Sequence, residues 1–192
     1  LSCYITALGY GSEDDEKYKK YWPANVHLVG KEIVRFHTII WPAILMALDI
    51  ELPNQVFGHG WILFDDDKMS KSKGNIIYPE PIIDLYGIDA FKYFLLREFS
   101  FGNDGSFTRE KFLQRLNSDL ANDLGNLVSR TITMIEKYND GIIPQVGTEE
   151  EIDTSLKDIG TSVAEKVENY IDKLNFSQAL EEIWKLVRRT NK

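Results

Sequence analysis

Val26-His27-Leu28-Val29-Gly30 is a short apolar run closed by a glycine. Lys31-Glu32-Ile33 leads from it into a segment where Ile33, Phe36, Ile40 and Ile44 recur at helical spacing. A strand of this length running directly into helical periodicity over 32–48 is a β-to-α unit, the repeating element of an α/β fold. Pro42 falls inside the helical span, has no amide hydrogen to give, and should kink or interrupt it. Two further extended runs, 55–58 and 61–64, are separated by His59 and Gly60 and followed by Asp65-Asp66-Asp67. A strand feeding an exposed loop is the simplest arrangement for them.

Beyond this unit, Ile82, Ile83 and Leu85 mark a short helix closed by Gly87, and Asp89 opens another through Phe91, Phe94 and Leu95. Asn103-Asp104-Gly105 is a turn, and after it the pattern becomes almost purely helical, which puts a domain boundary near Gly105. Thr108 can cap a long helix with Leu113, Leu116, Leu120, Leu124 and Leu127 on one side. The stretch 141–147 breaks it, Thr148 with Glu151 makes a capping box for the next helix, and Asn175 with Gln178 starts a third. The expected class is α/β over 1–105 followed by all-α over 106–192, the latter a partial antiparallel bundle.

Composition restricts the functions such a chain can have. Its 192 residues are 43% hydrophobic and 27% charged, enough for one or two globular domains. The apolar pattern is already running at Tyr4 and Ile5 and still running at Val187, so a longer parent chain is expected. The one cysteine, Cys3, excludes a disulfide framework or a self-contained zinc site and fits a reducing, cytoplasmic setting. No apolar run approaches the roughly 20 residues that span a bilayer. A net charge of −8 argues against wholesale neutralisation of nucleic-acid phosphates, so any RNA contact must be local. Positive charge does cluster at Lys68, Lys71 and Lys73, and again at Arg188-Arg189.

Lys68-Met69-Ser70-Lys71-Ser72 carries the sharpest chemistry. Two lysines three apart, interleaved with hydroxyls and followed by Lys73-Gly74, put several cationic donors on one loop. Such a loop suits a triphosphate whose charge shifts during nucleotidyl transfer. The competing role is a solvated basic turn after an acidic one.

This pentapeptide is identical to the signature of class I aminoacyl-tRNA synthetases. Around it, His27-Leu28-Val29-Gly30-Lys31-Glu32-Ile33, Phe36-His37, Trp41-Pro42-Ala43-Ile44-Leu45, His59-Gly60, Gly74-Asn75, Tyr86-Gly87, Asp89-Ala90 and the run Asn117-Ser118-Asp119-Leu120-Ala121-Asn122-Asp123-Leu124-Gly125-Asn126-Leu127 resemble the methionyl-tRNA synthetases in order and spacing. The resemblance implies the second half of a Rossmann-type catalytic domain, a stem-contact region around the lysine loop, and the first helices of an anticodon-binding bundle. It implies ATP with Mg2+, methionine and tRNA(Met) as reactants, with the family's zinc site and its first ATP signature outside this chain, so that the chain alone is expected to be inactive. No metal ligand is assigned within it. The resemblance leaves the oligomeric state open. The alternatives are a leucyl, isoleucyl, valyl or cysteinyl enzyme, or a non-catalytic tRNA-binding module derived from a synthetase.

Carried over residue by residue, the resemblance implies ATP contacts from Gly30, Glu32, His59, Gly60, Lys68, Ser70, Lys71 and Ser72, with Lys68 and Lys71 catalytic. Glu32 stands where the family has an aspartate; its structural alternative is an acid favoured by a helix N-terminus. Tyr4, Ile33 and His37 are implied to line the methionine pocket, Ile33 and His37 sharing a helix face; the alternative for His37 is a satisfied core histidine. Trp41 packs either on that pocket or in the core. Asn126 and Arg130, also four apart, are implied to contact anticodon bases, the alternative being a polar helix flank. Gly125 beside them calls for a packing or binding reason. Asp66, Lys92 and Ser106 depart from the family's common residues without removing a catalytic lysine.

Overall fold

The computed structural model describes residues 1–64, 67–70, 72 and 74–192. These form two compact units, one of residues 1–61 with 102–104, the other of 62–101 with 105–192. By contacts the chain divides after Trp61, with residues 102–104 returning to the first unit.

The first unit begins with two short helices, α1 (Cys3–Thr6) and α2 (Glu16–Tyr21), and reaches β1 (His27–Gly30). Strand β1 alternates, with His27 and Val29 inward and Leu28 outward, as a period of two requires. A 3-10 turn (Lys31–Ile33), a π-helical stretch (Phe36–Ile40) and α3 (Trp41–Ala47) carry the chain to β2 (Val56–His59). Strand β2 pairs parallel with β1, Gly30 opposite His59. The β-to-α unit is thus present, and the effect expected of Pro42 is seen in how the helix is built. Pro42 sits in the first turn of α3 directly after the widened π turn, where a missing amide hydrogen and a ring needing room are best tolerated. Ile5, Trp41, Leu45 and Ile50 form the core, with Tyr18 and Trp22 against it.

In the second unit, β3 (Ile62–Phe64) lies between β4 (Asp67–Lys68), antiparallel to it, and β5 (Gly105–Phe107), parallel to it. Helices α4 (Pro79–Tyr86) and α5 (Ile88–Glu98) lie between β4 and β5 in sequence. One helical run then comprises α6 (Arg109–Arg115), a π stretch (Leu116–Gly125) and α7 (Asn126–Asn139). Thr108 caps it as expected, accepting from the Lys111 amide at 3.2 Å. Gly125 closes the π stretch. A Cβ there would lie 3.1 Å from the Leu120 carbonyl oxygen, so the helix's own widened turn supplies the close approach. Helix α8 (Glu151–Asp172) starts with a reciprocal box between Glu150 and Asp153 instead of Thr148 and Glu151, two acids making the same pair of bonds two residues later. Helix α9 (Phe176–Thr190) starts after Asn175 with no side-chain cap. It packs on α8, α5 and the π stretch. Phe94, Phe107 and Phe112 are the buried centre of this unit, ringed by Ile82, Tyr86, Phe91 and Leu116.

Candidate functional site

The first unit brings Tyr4, Ile33 and His37 together although α1 and the π stretch are 33 residues apart. His37 Nδ1 lies 2.9 Å from the Ile33 carbonyl oxygen and Nε2 lies 2.9 Å from the Tyr4 hydroxyl. A carbonyl only accepts, so Nδ1 carries the proton; in the neutral ring Nε2 then accepts from Tyr4. His37 is 3% exposed, while Tyr4 and Ile33 are 36% and 38% exposed, so a ligand has access to the partners of a histidine held nearly out of solvent. Trp41 is fully buried and belongs to the core, and its indole N–H donates to His27 Nε2 at 3.2 Å.

His27 and Trp22 are additions that sequence reasoning missed. The His27 ring lies 4.5 Å from that of Tyr4 and 5.9 Å from that of His37, and Trp22 closes the group edge-on to Trp41 at 6.1 Å. Burial, with the nearby His37 imidazole adding to it, pushes the His27 pKa down and keeps the ring neutral. An apolar, polarisable wall with a hydroxyl at its edge matches a thioether side chain. In sequence, His27 was visible as a strand residue and as the start of the His27–Ile33 run, with no signal that its ring would meet Tyr4 and His37.

A second group sits at the C-terminal ends of the parallel strands, where open α/β sheets admit ligands. Glu32 Oε2 accepts the Trp61 indole N–H at 2.8 Å. Asp104 Oδ1 accepts from the Trp61 amide at 2.9 Å and from Lys31 Nζ at 2.6 Å, and the Lys31 ammonium lies 4.9 Å from the Trp61 ring centre. The Lys31 hydrogen bond, joined by that of the Trp61 amide, holds the Asp104 carboxyl below the usual carboxylate range. His59 Nδ1 lies 2.9 Å from the Gly60 carbonyl oxygen. At Gly60 a Cβ would fall 2.1 Å from the Asn103 carbonyl oxygen, a clash with backbone that only glycine avoids. Lys31, Trp61 and Asp104 were not expected; the Lys31–Asp104 contact spans 73 residues and leaves no local signal.

In the second unit, Lys68 lies on β4 opposite Leu63. Asn75 stitches the loop that follows: its Oδ1 accepts the Ser70 amide at 2.8 Å and its Nδ2 donates to the Lys68 carbonyl at 3.2 Å. Ser70 and Ser72 hydroxyls are 2.8 Å apart. Met69 lines a cavity of about 170 Å³ together with Ile62, Ile77, Phe91 and Phe107. Lys71, Lys73 and Asp66 lie outside the described residues.

Asn126 and Arg130 are both exposed, one turn apart on α7. Close by in sequence is a buried carboxylate that the sequence reading passed over. Asp119 accepts from the Tyr93 hydroxyl at 2.6 Å, the Ser118 hydroxyl at 3.1 Å and Arg115 at 3.3 Å, with Arg97 Nε at 3.5 Å. Arg97 also pairs with Glu181, Arg115 with Glu98 at 2.6 Å, and Arg188 with Asp123 at 3.0 Å and Glu181 at 3.1 Å. Burial alone would raise the Asp119 pKa; the Tyr93 hydroxyl and the Arg115 charge outweigh it and hold it down. Burial and the same hydrogen bond push the Tyr93 pKa far up. No group of three or more His, Cys, Asp or Glu side chains among the described residues is placed to hold a metal ion, and no described helix is long and apolar enough to cross a membrane.

Residues 1–132 match the family described as tRNA synthetases class I (M). The chain belongs to that family, the methionyl group within the class I tRNA synthetases. It is 65% identical over 192 residues to the "Methionine--tRNA ligase" of Caldanaerobacter subterraneus subsp. tengcongensis, and 61% identical over 193 residues to that of Halalkalibacterium halodurans. All of the chain is covered in both cases, yet it spans only 30% and 29% of those relatives. The Mycobacterium tuberculosis methionyl-tRNA synthetase bound by methionyl-adenylate superposes with a TM-score of 0.90 at 42% identity, over 98% of this chain and 37% of that one. The free-state structure from the same organism gives 0.86 at 38% identity, over 100% of this chain and 37% of that one.

Proposed function

We propose that this chain is part of a methionine-tRNA ligase acting in the cytoplasm. In the first step a methionine carboxylate oxygen attacks the α-phosphorus of MgATP, the bond to the bridging oxygen breaks, and pyrophosphate leaves. In the second, a terminal ribose hydroxyl of tRNA(Met) attacks the carbonyl carbon and AMP leaves. Little acid-base work is required, so positioning and charge stabilisation dominate. The observation that carries this reading is the Tyr4-His37-Ile33 contact set, in which three residues selected for a methionine pocket meet around one imidazole.

In this reading Gly30, Glu32, His59 and Gly60 hold the nucleoside of ATP, and Lys68, Ser70, Lys71 and Ser72 meet its phosphates, Mg2+ arriving on the triphosphate. Asn126 and Arg130 read the anticodon. Residues 1–105 serve as the second half of a Rossmann-type domain with its stem-contact region, and 106–192 as the start of a helical anticodon bundle. The test is methionine-dependent ATP-pyrophosphate exchange by a full-length enzyme carrying this chain. Exchange supported by leucine, isoleucine, valine or cysteine in place of methionine would overturn the assignment.

A further inference from the structure

Glu32 is one methylene longer than the aspartate its family commonly has, and the structure shows where the extra length goes. The side chain folds back over Gly30, so that a Cβ on residue 30 would lie 2.6 Å from both carboxylate oxygens. In that position Oε2 is gripped by the Trp61 indole N–H at 2.8 Å. Indole nitrogen is a donor only, so the contact favours the ionised carboxylate and fixes its plane. Trp61 is itself fixed on two sides: its amide is bound to Asp104 at 2.9 Å, and the Lys31 ammonium, also bound to Asp104, lies over its ring. All four side chains belong to the first compact unit.

We propose that Trp61 is the positioning residue that lets a glutamate at position 32 bind the ribose hydroxyls of ATP. A glutamate has more rotamers to lose than an aspartate when it is ordered. The indole bond makes that loss before the nucleotide arrives, leaving the carboxylate aimed. An aspartate at 32, with a shorter reach, has no need of the grip. Trp61 thus acts through Glu32 without touching the substrate, and this inference rests on the assignment of Glu32 to the ribose.

The test is a double-mutant cycle in the full-length enzyme, reading ATP-pyrophosphate exchange with ATP and with 2′-deoxy-ATP. Trp61→Phe, which keeps an aromatic ring and removes the donor, should raise the KM for ATP about tenfold, the usual worth of a hydrogen bond to a charged group. It should shrink the preference for ATP over 2′-deoxy-ATP by a similar factor while leaving the KM for methionine within about twofold. In a Glu32→Asp background the same Trp61→Phe change should cost less than about twofold. Equal losses in both backgrounds overturn the proposal, because the indole is then acting independently of the carboxylate. If Glu32→Ala leaves both the KM for ATP and the deoxy preference unchanged, the ribose assignment itself fails and the proposal with it. The three variants therefore separate the two failures.

Discussion

His37, in the first compact unit, and Asp119, in the second, are 3% and 1% exposed, and each has its polar atoms engaged. Their partners differ in kind. His37 is held by a carbonyl on its own helical run and by the hydroxyl of a tyrosine that still faces solvent. Asp119 is held by Tyr93 and the Arg97 guanidinium from α5, and by Ser118 and Arg115 from its own helical run; these arginines continue to Glu98 and, on α9, to Glu181. A buried polar group whose partners retain an exposed side can serve a ligand. One whose partners are themselves consumed by further ion pairs ties elements together. The same degree of burial thus goes with ligand-accessible partners in one unit and with a closed ion-pair network in the other.

The contrast breaks most directly at Asp119. Asp119→Ala strips the carboxylate from between arginines and should cost about 3–5 kcal/mol in urea unfolding, the loss typical of removing one partner from a buried pair. The KM for methionine should not move in folded enzyme. A loss below about 1 kcal/mol would place Asp119 with surface ion pairs, erasing the distinction.

Lys68→Ala or Lys71→Ala comes next in size. On the proposed role, in which the ammonium meets charge that develops in the transition state, each should lower kcat for adenylate formation by about 10²–10³. The KM for methionine should hold, since ground-state binding is not what is lost. A normal kcat with only a raised KM for methionine would contradict the role.

His37→Ala tests the other pole of the comparison. It leaves the Tyr4 hydroxyl without its acceptor and should raise the KM for methionine about tenfold, with weaker rejection of isosteric side chains lacking sulfur. Lost folding stability with unchanged specificity would make His37 a core histidine after all, scaffold in the same sense as Asp119. For the exposed pair on α7, Asn126→Ala and Arg130→Ala should leave ATP-pyrophosphate exchange intact and lower kcat/KM for tRNA charging by up to about tenfold, most for the methionine anticodon. Equal impairment of both reactions would indicate global damage.

Much of this was legible in sequence because it was local. The β1 strand and its glycine, the helical periodicity over 32–48, the Thr108 cap and the helix closed by Gly87 are all encoded within a few residues of themselves. Strands β4 and β5 were missed because two or three residues carry no period, and β5 exists only through its pairing with β3. Asp119 looked like one more polar residue in Asn117–Asp123, since Tyr93 and Arg97 reach it from a different helix. The Glu32-Trp61-Asp104 set escaped for the same reason. Even Gly125, correctly singled out as needing a cause, had its cause in a π turn that spacing alone does not announce.

The smallest effect separates the two units by pH. His27, packed against Tyr4 and Trp41, has its pKa lowered by burial and by His37, so in mild acid the unfolded chain takes up a proton that the folded ring refuses. The stability contributed by neutral His27 is then complete above the unfolded imidazole value of about 6.5 and is lost as pH falls from there toward its own lower value. Asp119 is also depressed, but from a carboxylate value, so its contribution is complete above about pH 4 and is lost only as pH falls below that. Between pH 7 and 5, therefore, stability should decline in the first unit while the Asp119 contribution stays level. His27→Gln retains an acceptor for the Trp41 indole and does not titrate, so unfolding measured across this range should flatten in that variant. Asp119→Asn should lower stability by the same amount at pH 7 and at pH 5. A decline that persists in His27→Gln assigns the acid sensitivity to another group, and a cost of Asp119→Asn that shrinks between pH 7 and 5 shows that the arginines do not hold that carboxylate ionised.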